Sequence, residues 1–355
     1  MRKNKKTVTF LLPHNGAVPA GGFKVVYEYA NRLSADGHDV NIVYPCSIDH
    51  KFGALRFIFY FFGKSYKSTW FFLRPEIKEI LTPSLAEKYI PDSDVVIATG
   101  WKTAEKLAEY KNTSSRRKFY LIQGYEDWQS KKYEWRLINT WKSNLRKIVI
   151  APWLQKIAID LDQKSTLIEN GLDFNYFHLI KPIKKRAPYN LCLLYHPDTR
   201  KGFDIGWQAV QIVHKKYPEA RVSIFGAYRP LLKFPNWVVY YYRPPKNIHN
   251  RLYNKSAIFI APSRIEGFGL TPAEAMQCGC AVVCTDTGGF RVFCQHGKTA
   301  LVSPVDNIQA LASNIIKLIE NPKLRIRLAK NGNKYIQKFT WERAYKKLKT
   351  TLGLL

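Results

Sequence analysis

Short apolar runs recur along the whole chain, each followed by a stretch in which apolar residues fall at helical spacing. That alternation admits few architectures: parallel strands joined by crossover helices that cover both faces of a sheet. In the first half the strand-like runs are 7–12, 39–44, 94–99, 118–122, 147–151 and 166–169. Between the first two, Val26, Tyr29, Ala30 and Leu33 stripe one face of a helix over 23–36, which Gly37 ends. A second series holds strands at 190–196, 220–226, 237–241, 257–262, 281–285 and 299–302. Its helices are expected near 203–216, 247–255, 271–278 and 307–320, and 322–355 reads as helical and basic. The stretch 173–190 carries Lys181, Pro182, Lys184, Lys185, Arg186 and Pro188 without periodicity and reads as a linker. A chain of 355 residues accommodates two such α/β domains. Doubly wound domains in tandem are expected to leave a cleft faced by the carboxyl edge of each sheet.

Charge narrows the partners. Lys and Arg number 56 against 27 Asp and Glu, a formal net charge of +29. A fold does not need that excess, so it suggests nucleic acid, an anionic membrane surface or phosphorylated substrates, although a Lys-rich composition alone produces part of it. Of the six cysteines, Cys278, Cys280, Cys284 and Cys294 lie close together. Cys280 and Cys284 bracket the apolar Ala281-Val282-Val283 and no paired knuckle is present, so buried free thiols are expected rather than a metal site. The basic start followed by Thr7–Leu12 resembles a leader peptide, but Pro13-His14-Asn15-Gly16 cuts the apolar stretch short and a first strand is expected there. No run has the length of a membrane-spanning helix.

Residues 51–74 break the alternation. Phe57, Phe59, Tyr60, Phe61, Phe62, Trp70 and Phe71 are interleaved with Lys51, Arg56, Lys64, Lys67 and Arg74, with no acid among them. Rings at headgroup level with cations beside them suit an anionic bilayer interface, and a buried helix of the first domain fits the segment equally well. A second basic-aromatic stretch, Trp128 to Lys147, would extend such a face.

The stretch from Ser263 to Met276 carries the most chemistry. It follows an apolar strand and enters a helix at Thr271-Pro272, where an open α/β sheet binds ligands. Gly267 and Gly269 let a backbone come close, and N–H groups at a helix start meet phosphate oxygens. Glu266 is placed to meet a sugar and Glu274 a hydroxyl pair such as a ribose diol. With Phe268, Leu270 and Thr271 between these carboxylates, the whole string resembles the donor-site motif of glycosyltransferase family 4, which has the GT-B architecture. Asn170-Gly171-Leu172-Asp173, Arg200-Lys201-Gly202, Phe225-Gly226, Thr285–Gly289, Phe339–Glu342 and the Gly21-Gly22 loop resemble further elements of that family.

The resemblance implies an α/β GT-B chain, with residues 1–180 as the acceptor-side domain and 181–337 as the nucleotide-sugar domain. It also implies a C-terminal helix over 338–355 that returns to the first domain. Lys201 would stabilise the charge developing on the leaving diphosphate, with Arg200 or His196 as second cation. His196 stands where the family commonly has Arg. Gly21 and Gly22 would approach the diphosphate. Gln123, at the end of the strand Phe119–Ile122, would stand near the transferred sugar, with Glu126 as an acceptor-side base. A Gln-x-Tyr-Glu string of this kind occurs in rhamnosyltransferase-like members and hints at a deoxysugar. The implied reaction is retaining transfer from a nucleotide-diphosphate sugar to a glycan or lipid-linked hydroxyl, without metal or other cofactor, at the cytoplasmic side of a bacterial membrane. Three other readings fit parts of the sequence. Two carboxylates suit a glycoside hydrolase; the fold also suits a sugar-nucleotide epimerase; the charge suits a nucleic-acid binder. The hydrolase reading leaves the glycine loop, the Lys-Gly element and the excess charge unused, the Gly-Phe-Gly-Leu loop with two spaced glutamates favours transfer over epimerisation, and no nucleic-acid motif is recognised.

Overall fold

The computed structural model describes residues 5–14, 16, 18–48, 67–126 and 133–354. The chain divides into two compact units, Met1–Glu169 with Ala344–Leu355, and Asn170–Arg343. In the first, the strands are β1 (Thr7–Leu11), β2 (Asp39–Pro45), β3 (Lys78–Thr82), β4 (Val95–Ala98), β5 (Lys118–Ile122), β6 (Arg146–Val149) and β7 (Ser165–Leu167). They form one parallel sheet in the order β3-β2-β1-β4-β5-β6-β7. Val8, Phe10 and Leu11 are buried, as a strand covered on both faces requires. Among the described residues its helices are α1 (Gly21–Ala35), α2 (Trp101–Ala108), α3 (Glu134–Lys142) and α4 (Pro152–Asp160).

The second unit holds β8 (Asn190–Leu194), β9 (Arg221–Gly226), β10 (Val238–Tyr242), β11 (Ile258–Ala261), β12 (Ala281–Thr285) and β13 (Ala300–Ser303). Their order is β10-β9-β8-β11-β12-β13, again parallel. The connecting helices are α5 (Phe203–Lys216), α6 (Lys246–Lys255), α7 (Leu270–Gln277), α8 (Ile308–Glu320) and α9 (Pro322–Ile336). Leu191, Leu193, Ile224, Ile260 and Val283 from the sheet meet Val210, Val213, Leu311, Ile315 and Leu328 from the helices in one core. The chain runs outward through β9 and β10, then returns to lay β11 beside β8. That reversal is the switch point at which open α/β sheets bind ligands. The first unit has the same reversal between β1 and β4.

Three expectations change. The edge strand β3 carries no apolar run and was not foreseen. The stretch 322–355 is two helices, α9 and α10 (Trp341–Leu352), because Gln337–Thr340 interrupts it. Residues 173–190 are not a free linker, and the unit boundary falls at Asn170 rather than 181. Arg186 is buried there, donating to the carbonyls of Lys181, Tyr253, Ser256 and Cys278 and to Asn254 Oδ1. These carbonyls lie largely at helix carboxyl ends, where a cation complements the dipole. The end of α10 clusters with the first unit: Tyr345 Oη donates to Asp36 at 3.0 Å, Lys349 pairs with Asp36 at 2.7 Å, and Lys347 pairs with Glu169 at 2.9 Å.

Candidate functional site

The two loops flanking the second switch point carry the predicted cation and carboxylate. After β8 the chain forms a tight turn, Thr199–Lys201, opened by the Asp198 carboxylate, which accepts the Arg200 N–H at 3.0 Å. The turn closes on Gly202, at φ +63°, and a Cβ there would fall on the Pro262 carbonyl oxygen. Only glycine therefore lets this turn lie so close to the end of β11. Gly206 repeats the constraint one turn into α5, where a Cβ would lie 2.7 Å from the Pro262 ring. The consequence is a direct ion pair: Lys201 Nζ stands 2.8 Å from Glu266 Oε1. Ser263 Oγ donates to the same oxygen at 3.0 Å. Glu266 is the more enclosed partner, its side chain 12% exposed against 31% for Lys201.

The expected second cation takes another form. Arg200 turns its guanidinium onto Asp198, with Nε 2.9 Å from both carboxylate oxygens, so its charge is matched locally. His196 accepts the Asp198 N–H at Nδ1 at 3.0 Å, which places the ring proton of the neutral tautomer on Nε2. Burial, and then the nearby Lys201 charge, pull its pKa below the usual imidazole value. His196 is thus a neutral N–H donor at neutral pH, edge-on to Tyr228. Its charge as a second cation would have to come at acid pH.

The glycine loop is held from behind. Gly289 N–H donates to Glu266 O at 3.1 Å, and a Cβ on Gly289 would lie 2.6 Å from that same oxygen. Thr285 Oγ1 donates to Ser263 O. Phe268 is buried against Phe293 and Phe339. Gly269, at φ +94°, has Phe290 2.5 Å from where a Cβ would stand, and α7 begins at Leu270 and Thr271 immediately after it, following Gly267 and Phe268. Glu274 lies in the second turn of α7, 5% exposed, within 3.4 Å of the buried Tyr253 hydroxyl. Sequence reasoning gave no role to Asp198, Ser263, Tyr253 or Gly289. Asp198 and Ser263 were within its reach, since each stands two or three residues before the group it holds.

In the first unit Gln123 Nε2 donates to Gly22 O at 3.1 Å, so Gln123 and the Gly21-Gly22 start of α1 meet at the carboxyl edge of that sheet. Glu126 accepts the Trp101 N–H at 3.4 Å. Of the aromatic segment, 51–66 lies outside the described residues. Trp70 and Phe71 pack on Tyr27 of α1, and Trp70 Nε1 donates to Gly16 O at 2.6 Å. In the second basic-aromatic stretch, 128–132 likewise lies outside the described residues; Trp141 is buried, whereas Trp135 is 63% exposed.

All six cysteines are buried. Among the described residues no group of three His, Cys, Asp or Glu could hold a metal ion, and no helix is long and apolar enough to cross a membrane. A cavity of about 680 Å³ lies between α5 and the loop after β13, lined by Gln208, Gln211, Ile212 and Val305 among others. None of the expected site residues lines it.

Comparison with known proteins finds likenesses for the second unit and for the fold. Residues 192–335 match the family described as Glycosyl transferases group 1. The matched stretch lies inside the second unit and spans less than half of the chain. The match contains the Lys201–Glu266 pair and the whole glycine loop. Within the chain, 89 residues are 36% identical to an uncharacterized glycosyltransferase of Methanocaldococcus jannaschii, and 85 residues are 36% identical to the lipopolysaccharide core biosynthesis mannosyltransferase LpcC of Rhizobium leguminosarum. These stretches span 25% and 24% of the respective relatives and the same shares of this chain. Over 98% of both chains the fold matches sucrose-phosphate synthase from Thermosynechococcus elongatus, with TM-score 0.75 and 16% identity. It also matches Anabaena HepE in complex with UDP-glucose, with TM-score 0.72 and 16% identity over 99% of this chain and all of the other. The fold is the GT-B type, two parallel-sheet Rossmann-like units.

Proposed function

We propose that the chain transfers a hexosyl or deoxyhexosyl group from a nucleotide-diphosphate donor to an acceptor hydroxyl. The reading rests on the Lys201–Glu266 ion pair set at the switch point beside the start of α7, inside the stretch that matches the group 1 family. In this scheme the C1–oxygen bond to the diphosphate breaks while the acceptor hydroxyl forms the new C1–oxygen bond and gives up its proton to the departing diphosphate. Lys201 meets the leaving diphosphate oxygen, where a preorganised cation is worth most. Glu266, freed by that exchange of partners, accepts hydrogen bonds from donor-sugar hydroxyls. Gly267, Gly269 and the N–H groups of Leu270 and Thr271 border the diphosphate, His196 donates to it from Nε2, and Glu274 takes the ribose. Gly21, Gly22 and Gln123 are assigned to substrate contacts of the first unit.

Retention of anomeric configuration and independence of a resident metal belong to this proposal, as does membership of family 4. So does an acceptor in bacterial surface polysaccharide or glycolipid assembly, for which the named mannosyltransferase relative is the support. The site of action would be the cytoplasmic membrane face, with 51–74 on anionic lipid. Incubation of the protein with UDP-, GDP- and dTDP-sugars, followed by calorimetry and detection of released nucleotide, tests the central claim. Binding and turnover with one donor class are expected; neither with any of them refutes it.

A further inference from the structure

Arg264 sits between Ser263 and Glu266, yet its side chain does not turn toward the ion pair. Its Nη1 donates to Thr199 O at 2.6 Å, its fork grips Asp204 at 2.9 and 2.7 Å, and its Nε meets Asp306 at 2.6 Å. Its backbone N–H donates to Arg200 O at 2.7 Å, and the Ile265 N–H donates to the same carbonyl at 3.3 Å. One residue therefore joins the turn after β8, the first turn of α5, its own loop after β11 and the loop after β13. Thr199 and Arg200 are the two residues preceding Lys201. The spacing of Lys201 from Glu266 is thus fixed by Arg264 from one side of the turn and by Asp198 from the other.

We propose that Arg264 is a positioning residue: it locks the Lys201 turn to the Glu266 loop so that both groups stand in register for the diphosphate donor, a role that rests on the function proposed above. Planarity is what the position demands. A guanidinium satisfies two carboxylates and a carbonyl at fixed angles, whereas a lysine ammonium is a point charge on a flexible stem. The side chain is 26% exposed and its acids 51% and 55%, so the clamp faces outward and leaves the inner side of the loops to ligand.

The test uses the full-length chain with Arg264→Gln, Arg264→Lys and Asp306→Asn, the last removing one strut while Arg264 stays. Hydrogen exchange over 196–206 and 262–269 reads the clamp with no ligand present. Exchange there should quicken about tenfold in Arg264→Gln, less in the other two, with 5–48 unchanged. Affinity for whichever of UDP, GDP or dTDP binds the wild type should fall about tenfold in Arg264→Gln, and Arg264→Lys should recover only part of it. Unchanged exchange in both segments overturns the clamp. Faster exchange with wild-type nucleotide affinity overturns its positioning role. If the wild-type protein binds none of the three nucleotides, the donor-site reading falls, and exchange alone then decides the clamp.

Discussion

Replacing Gly202 by alanine tests how the site is built. The backbone at φ +63° costs an L-residue about 1 kcal/mol relative to glycine. The new Cβ would also fall on the Pro262 carbonyl oxygen, which belongs to the backbone leaving β11 and cannot rotate away. Overpacking of this kind costs about 1–3 kcal/mol more, so the total is roughly 2–4 kcal/mol. Gly297→Ala is the control. It lies in the same unit at φ +70° with nothing within 4 Å of its Cβ position, and carries the dihedral cost alone. Urea unfolding followed by tryptophan fluorescence gives both values, compared at constant m so that only stability is read. Relief of the clash would move the 199–202 turn off β11, so Gly202→Ala should also weaken nucleotide binding while Gly297→Ala does not. A Gly202→Ala cost no greater than that of Gly297→Ala would refute the close-approach argument.

Lys201→Ala and Glu266→Gln should each lower turnover by at least about a hundredfold, the usual worth of one transition-state contact. Each should cost only about 1 kcal/mol of stability, since the pair is partly solvated; a larger loss would make it scaffold. Burial brings Lys147 down to about 8, from an unfolded value near 10.4. Between those pH values the unfolded chain holds the proton and the folded one does not, so the contribution of Lys147 itself should grow from about pH 8 to 9.5, read as the pH-dependent stability difference between wild type and Lys147→Met. The six thiols should react slowly with a water-soluble disulfide reagent until the protein unfolds, since Cys280 is pushed up to about 11 and Cys278 higher still. Rapid native labelling of the 278–294 cluster would contradict that burial. The 51–74 segment should carry the protein down with anionic vesicles and not with neutral ones, and equal behaviour with both removes the membrane role.

What could be read from sequence follows from where apolar burial dominates. β12, Ala-Val-Val-Cys-Thr, is buried at every position and announces itself. β3, Lys-Glu-Ile-Leu-Thr, lies at a sheet edge with only its last residue buried, so no apolar run marks it. Charge counting misled for the same reason in reverse. Arg200 and Arg186 look alike as basic residues near turns, but one is matched by an aspartate two positions away and the other is enclosed by carbonyls of α6 and its neighbours. A carbonyl pocket leaves no trace in residue type, because every residue supplies one.

The Lys201–Glu266 meeting was legible for a different physical reason. Sixty-five positions separate the two residues. In a doubly wound sheet, however, the strands preceding them become neighbours wherever the chain reverses direction, and β8 pairs with β11 through Leu191↔Ile258 and Leu193↔Ile260. Once two strands are known to flank the reversal, the loops at their carboxyl ends must converge, and glycines in and behind those loops set how closely. Glycines at 202, 269 and 289 set that separation from three loops, and the arginine clamp fixes what they allow. Chemistry at this edge therefore depends as much on absent side chains as on the lysine and the glutamate.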